Sequence, residues 1–287
     1  IKHPVKTDRQ KPLVNITHVR GVPERVDYKG AIVEPLDTEA TECVIRELVS
    51  GHGIESIAVC LLWSFRNTKH ECLIRDLIER VAPDCYISLS SEIAPLPGEY
   101  ERASTTVINA YAGQTAQDYL DNLQKLLAEE GYSGPILVMQ GHGGLLPIAE
   151  SASRAVGMIE CGPVAGLIGS RFLGSLLDEQ DIIAVDIGGT TSKVGVIQRG
   201  VLDYAREPMV NRYHYLAPKI EVASIGAGGG SVISIETGTG VPTVGPKSAG
   251  ARPGPVCYDN GGTDPTLTDV MLLAGYMHPN YFLGGKM

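Results

Sequence analysis

The stretch Asp181-Ile-Ile-Ala-Val-Asp186-Ile-Gly188-Gly189-Thr190-Thr191-Ser-Lys193-Val-Gly-Val-Ile197 reads as an apolar strand, an acid at its end, a Gly-Gly-Thr-Thr turn and a second apolar strand. That arrangement suits the phosphates of a nucleotide and their metal ion. Glycines at Gly188 and Gly189 let the backbone approach an anion closely and adopt angles that a Cβ forbids. Successive N–H groups of such a turn form a concave anion nest. The hydroxyls of Thr190 and Thr191 add donors. Asp186 is the expected Mg²⁺ ligand, because this hard cation is bound by one or two carboxylates together with waters and phosphate oxygens. The alternative is an ordinary hairpin with a Gly-Gly turn.

Two familiar phosphate loops are excluded. No segment matches the P-loop pattern G-x-x-x-x-G-K-[ST]. The dinucleotide fingerprint G-x-G-x-x-G/A opens a helix. Gly226-Ala-Gly228-Gly229-Gly230-Ser231 comes nearest to it, but it ends in Ser and leads into the strand-like Val232-Ile233-Ser234-Ile235. What remains is a hairpin-type phosphate loop similar to that of the actin, sugar-kinase and Hsp70 superfamily.

Composition narrows the class. The chain has 287 residues, 43% of them hydrophobic, enough for one large or two ordinary domains with a sizeable core. Abundant glycine and few aromatics fit a turn-rich α/β enzyme. A formal charge of −9 argues against nucleic acid and anionic membranes as partners. No run reaches the length of a transmembrane helix, and no signal peptide is visible. Among the six cysteines there is no C-x-x-C pair and no zinc-finger spacing. They read as buried free thiols in a reducing cytoplasm, with Cys161 and Cys257, in Gly/Pro-rich loops, as candidates for reactivity.

Along the chain, Asp37 is expected to cap a helix through Ala40, Val44, Ile45 and Leu48, ended by Gly51 and Gly53. Ile57–Trp63 is a continuous apolar strand, as expected when both faces are covered. A helix carrying Leu73, Ile74, Leu77, Ile78 and Val81 stops before Pro83, and Tyr86–Leu89 is another strand, giving a βαβ pattern. Pro95-Leu-Pro97-Gly98 marks a boundary, so residues 1–98 and 99–287 are expected as separate regions. Two helices follow, Glu99–Tyr111 and Thr115–Glu130, then a strand over Pro135–Met139 and a helix opening at Gly162-Pro163. Thr268 is expected to cap a last helix reaching Met277.

Several further stretches occur in order. They are Glu101-Arg-Ala-Ser-Thr-Thr-Val-Ile-Asn-Ala-Tyr111, Met139-Gln-Gly-His-Gly-Gly144, Cys161-Gly-Pro-Val-Ala-Gly166 and Asp186-Ile-Gly-Gly-Thr-Thr191. Ser224–Ser231, Gly245–Gly250, Pro253–Tyr258, Gly261–Asp269 and Tyr281–Gly285 complete the series. As an ordered set over nearly the whole chain, this resembles the hydantoinase A/5-oxoprolinase family. The resemblance implies an α/β, actin-like (ribonuclease H-like) ATPase fold with mixed sheets flanked by helices. Residues 1–98 would be the remainder of an N-terminal domain, and 99–287 the central domain. It also implies ATP and Mg²⁺ as cofactors, a hydantoinase B-type subunit or domain as partner, and an oligomer in the cytoplasm. In that family ATP phosphorylates an amide or enol oxygen. The substrate is then a small cyclic amide, hydantoin or 5-oxoproline-like, or a ketone that is carboxylated. A regulatory ATPase and an inactive fragment needing partner chains are the readings from other classes.

Two departures stand against the resemblance. The family has an earlier Asp-x-Gly-Gly-Thr loop that this chain lacks, and the chain starts at Ile1 rather than Met. An internal fragment, or one piece of a split subunit, is therefore expected. Many relatives carry Asp where this chain has Lys193, which either contacts phosphate as a point charge or is a solvated strand residue.

The remaining candidates carry two readings each. Gly228, Gly229, Gly230 and Ser231 form either a second nucleotide loop or a tight backbone crossing. Gly162, Pro163 and Gly166 either line the cleft at a helix N-terminus or serve helix–sheet packing. His142, between glycines after a strand, is functional or simply structural. Asp264 and Asp269 read first as helix caps, and Glu99, Glu101 and Arg102 as a helix N-terminus.

Overall fold

The structure, a computed structural model, describes residues 11–281 and 285. The first ten residues of the irregular lead-in and the middle of the Tyr281–Gly285 motif lie outside the described residues. The chain forms two compact units. One runs to Cys161 and takes in Tyr204–Lys219; the other comprises Gly162–Asp203 and Ile220 onward.

In the first unit, β1 (Arg25–Val26) and β2 (Ile32–Glu34) pair antiparallel ahead of α1 (Thr38–Arg46). Asp37 caps α1 by accepting from the Ala40 N–H at 2.9 Å. A wider π turn over Glu47–Gly51 extends the helix to its expected end. β3 (Ser56–Val59), α2 (Lys69–Val81) and β4 (Tyr86–Leu89) form the expected parallel βαβ unit, with Ser56 opposite Tyr86 and Val59 opposite Leu89. Ile45, Val59, Ile74, Leu77, Ile78 and Leu89 share one core. The strand expected to reach Trp63 stops at Val59 because side chains take over its backbone groups. The Leu61 N–H donates to Glu71 Oε1 at 2.9 Å, and the Leu61 carbonyl accepts from Arg102 Nη2 at 2.6 Å.

After α3 (Ser90–Ile93), the two helices expected over 99–130 are one helix of 31 residues, α4 (Glu99–Glu129). Gly113 sits mid-helix without breaking it. A Cβ there would lie 2.0 Å from Tyr86 Cε1, so the absent side chain makes room for a ring from β4. The unit is completed by the β5 (Leu137–Met139) and β6 (Leu145–Pro147) hairpin, α5 (Ile148–Ser153), and a late pair, β10 (Met209–Val210) and β11 (Tyr213–His214).

The second unit holds α6 (Cys161–Leu176), β7 (Ile182–Ile187), β8 (Ser192–Gln198), β9 (Val201–Leu202) and β12 (Ala223–Ile225). The sheet order is β12-β8-β7, antiparallel throughout, with β9 also on β8. Val164 and Leu167 of α6 pack on Ile182, Ala184, Ile197 and Val222. Gly195 lets the helix close on the sheet, since a Cβ there would be 2.4 Å from the Leu167 methyl carbons. β13 (Ser231–Ile235) and β14 (Pro242–Ser248) form a hairpin ahead of α7 (Leu267–Leu273).

The cap of α7 is Thr266, in a reciprocal capping box with Asp269, rather than the expected Thr268. Thr268 instead turns its hydroxyl to the Gly229 carbonyl at 2.8 Å. The helix also ends before Met277, with Gly275 in the left-handed region (φ 77°) just past its last turn. Among the described residues no helix is long and apolar enough to cross a membrane. All six cysteines are free. Cys43 and Cys257 are exposed and the other four half-buried, Cys85 packing against the first unit's core, so the thiols are free as expected but none is fully buried.

Candidate functional site

The DIGGTT segment is the expected hairpin. In β7 the side chains of Ile182 and Ala184 turn toward α6, and Asp186 follows them in the same alternation at the strand's end. Strand pairing places Asp186 opposite Lys193, and Lys193 opposite Ser224 of β12. Directly opposed residues share a face. One row therefore carries a carboxylate, an ammonium and a hydroxyl, and Lys193 Nζ donates to Ser224 Oγ at 2.9 Å. The turn is closed by the Gly188 N–H donating to the Thr191 carbonyl at 2.9 Å. Gly189 and Thr190 lie exposed at its tip.

The second glycine loop braces the first. The Gly229 N–H donates to Gly188 O at 2.9 Å, the Gly230 N–H to Gly189 O at 2.6 Å, and Ser192 Oγ to Ala227 O at 2.6 Å. A Cβ on Gly228 would meet Gly188 O at 2.5 Å and the backbone N and C of Thr190 at 2.8 Å. Buried Ser231 fastens the loop from below, its hydroxyl accepting from the Gly228 N–H at 2.8 Å. This is the geometry of a tight backbone crossing. None of Gly188, Gly189, Gly228, Gly229 and Gly230 has a left-handed φ. Gly228, Gly229 and Gly230 are thus required for room, and none of the five supplies the unusual angle expected from sequence. Gly189, Gly162 and Gly166 face open space, with nothing within 4 Å of the place a Cβ would occupy.

A shallow cleft of about 110 Å³ lies between the hairpin and α6, lined by Pro163, Gly166, Ser170, Asp186 and Lys193 among others. At ~30 Å³ per water it has room for three or four waters, the scale of a phosphate group and too small for a whole nucleotide. Gly166 and Asp186 are brought together here, while Gly162 is not among the lining residues. Among the described residues no group of three or more His, Cys, Asp or Glu could hold a metal. One carboxylate, at the strand end that leads into an open backbone turn, suits Mg²⁺ held largely by water and phosphate oxygens, and not a metal in a protein cage.

The other sequence candidates have structural partners. Asp269, buried at the start of α7, accepts from the N–H groups of Cys257 (2.7 Å) and Thr266 (2.7 Å) and from the Thr266 hydroxyl (2.8 Å). Burial alone would raise its carboxyl, but these donors outweigh it and hold it at about 2. Partial burial, and then the Asp269 carboxylate, push the Cys257 thiol up to about 11, which argues against a reactive thiolate. Asp264 pairs with Lys247 at 2.7 Å. His142 belongs to the first unit, where its ring folds over Gly144 and its carbonyl accepts from Tyr204 Oη at 3.2 Å.

Glu99, Glu101 and Arg102 open α4 as expected, but Arg102 turns inward. It is fully buried, as are Thr105, Thr106 and Asn109. These positions recur at i, i+3, i+4 and i+7, so α4 buries a polar stripe that a search for apolar periodicity passes over. Arg102 Nη1 donates to Ser64 Oγ at 2.6 Å, Ser64 Oγ lies 3.0 Å from Ser90 Oγ, and Ser90 Oγ donates to Glu71 Oε1 at 2.6 Å. A buried guanidinium and a buried carboxylate are joined through two hydroxyls. The spacing of polar residues within an otherwise helical stretch is the signal that could have revealed it.

Known proteins resemble this chain in sequence and in fold. The hydantoinase/oxoprolinase family matches residues 102–287, and its N-terminal region matches residues 2–82. The acetophenone carboxylase gamma subunit of Aromatoleum aromaticum is 36% identical over 96% of this chain and 38% of its own length. Among solved structures, nucleotide-free acetone carboxylase superposes with a TM-score of 0.82 at 32% identity, covering 93% of this chain and 38% of that one. The ATP-dependent caprolactamase of Pseudomonas jessenii superposes with a TM-score of 0.69 at 30% identity, covering 98% of this chain and 41% of that one. The chain therefore spans about two fifths of the length of these relatives and shares their α/β, actin-like fold. With the family matching both before and through the DIGGTT hairpin, this chain belongs to the hydantoinase/oxoprolinase family.

Proposed function

We propose that this chain is the phosphate-binding part of an ATP-dependent enzyme that phosphorylates the amide oxygen of a cyclic amide so that water can open the ring. The observation that carries this reading is a cleft of phosphate size lined by Asp186 and Lys193, the two residues that flank the Gly188–Thr191 turn on paired strands. An unactivated amide is a poor electrophile, and phosphorylating its oxygen supplies a leaving group. Asp186 would hold Mg²⁺, which when bound neutralises charge on the transferring phosphoryl group. Gly188–Thr191 would present backbone and hydroxyl donors to the phosphates, and Gly228–Ser231 would keep that turn in shape. Gly166, and Gly162 at the α6 N-terminus, would leave the entry to the cleft clear. In this reading residues 1–98 belong to the N-terminal region and 99–287 to the central domain, in line with the two family matches. A hydantoinase B-type partner and an oligomeric assembly belong to the same reading.

A second reading is a subunit of an ATP-dependent ketone carboxylase. The 36% identity to the acetophenone carboxylase subunit and the higher TM-score to acetone carboxylase favour it. ATP hydrolysis by the whole protein with its partner subunit separates the two. Stimulation by hydantoin, 5-oxoproline or caprolactam supports the amide reading. Stimulation only by acetone or acetophenone with bicarbonate moves the assignment to the carboxylase, and stimulation by neither class counts against both.

A further inference from the structure

Among the residues lining the phosphate-sized cleft, only Asp186 and Lys193 carry formal charge. They face each other across β7 and β8, and the ammonium is anchored on the next strand by Ser224 Oγ at 2.9 Å. The wall of the cleft is thus close to neutral. A cleft that held Asp186 alone would repel a polyphosphate, and the Lys193 ammonium removes that like charge. An ammonium on a flexible stem is a mobile point charge, able to leave one oxygen for another nearby.

We propose that Lys193 is a nucleotide-binding residue of this cleft: it offsets the Asp186 carboxylate, and its ammonium, kept at the rim by Ser224, meets the phosphate end of the nucleotide. Ser224 acts through Lys193 and is a positioning residue. The inference rests on the reading of this cleft as a phosphate site. It accounts for a half-buried lysine in a strand whose same face otherwise carries Gly195 and the core residue Ile197.

The test is calorimetric titration of the whole protein with Mg-ADP and, separately, with adenosine. The variants are Lys193→Met, Lys193→Arg, Ser224→Ala and Asp186→Ala. Loss of one charge-assisted contact to phosphate is expected to weaken ADP binding by Lys193→Met about tenfold, with adenosine binding unchanged. Lys193→Arg should retain most of the ADP affinity, and Ser224→Ala should lose about threefold. Unchanged ADP affinity in Lys193→Met, or an equal loss for ADP and adenosine, overturns the proposal. Should Lys193→Met unfold, the exposed Ser224→Ala decides: ADP affinity equal to wild type overturns it. If Asp186→Ala also binds ADP as wild type does, the phosphate-site reading itself has failed. If Asp186→Ala loses ADP and Lys193→Met does not, only the role of Lys193 has.

Discussion

Gly228→Ala tests whether the two glycine loops form one braced unit. The new Cβ would lie 2.5 Å from Gly188 O, against an ordinary contact of at least 3.4 Å, so the loops must part by about 0.9 Å (3.4 − 2.5). Both contacting segments are backbone, so no side chain can swing aside. A shift of that size takes the Gly229–Gly188 hydrogen bond from 2.9 Å to about 3.8 Å, outside bonding range. The neighbouring Gly230–Gly189 bond is strained with it. At about 0.5–1.5 kcal/mol per bond, with overpacking strain of about 1–3 kcal/mol, the expected loss is about 2–4 kcal/mol. Thermal unfolding of the whole protein should show a fall in Tm of roughly 5–10 °C. Gly189→Ala is the control, because nothing lies within 4 Å of its Cβ position. It should change stability by less than ~0.5 kcal/mol while weakening Mg-ADP binding, since on the proposed reading the methyl enters the space that phosphate would take. A Gly228→Ala protein as stable as wild type, or a Gly189→Ala protein equally destabilised, refutes the braced-turn reading.

Other consequences are equally open to measurement. Asp269→Asn should cost about 1–2 kcal/mol at neutral pH through loss of the α7 capping box, read by chemical denaturation. Because the folded carboxyl is held at about 2, below its unfolded value near 4, its stabilisation is present above pH ~4 and is lost as pH falls toward 2. The gap between variant and wild type should therefore close across that window, and a constant gap would contradict the assignment. Arg102→Met should destabilise by about 3 kcal/mol, because Ser64 Oγ and Leu61 O lose a buried charged donor. Arg102→Lys should not restore it, since one ammonium lacks the fork that reaches both acceptors. A thiol held at about 11 is about one thousandth thiolate at pH 8, so Cys257 should alkylate far more slowly than a small-molecule thiol. Labelling at the small-molecule rate would show that the loop around it opens readily.

Much of the fold was legible where local patterns are strong. Asp37 ahead of an amphipathic run, the parallel pair Ile57 and Ile87, and the apolar strands flanking Gly188-Gly189 all emerge where expected. The misses have physical causes. Gly113 reads as a helix break in isolation, yet it is the place where a Tyr86 ring needs room, which is a tertiary fact. Ile57–Trp63 reads as one strand, yet Leu61 is claimed by Glu71 and Arg102, residues far apart in sequence. Thr266 and Thr268 offer the same hydroxyl, and only the position of Gly229 decides which of them caps α7. At the candidate site, Asp186 and the turn were evident from type and spacing. The pairing of Lys193 with Ser224 was not, because it depends on the register of β12, a short strand at the end of a long irregular stretch. The buried Arg102 stripe was hidden for the opposite reason, since a polar face in a helix is ordinarily taken as solvated.

The central claim is that the turn from Asp186 to Thr191 receives nucleotide phosphate. Its most direct test is a crystal structure of the whole protein grown with Mg²⁺ and a non-hydrolysable ATP analogue. The account predicts phosphate oxygens against the Gly188–Thr191 turn, with the cation beside Asp186. A nucleotide bound elsewhere, with that turn unchanged and filled only by water, would contradict it.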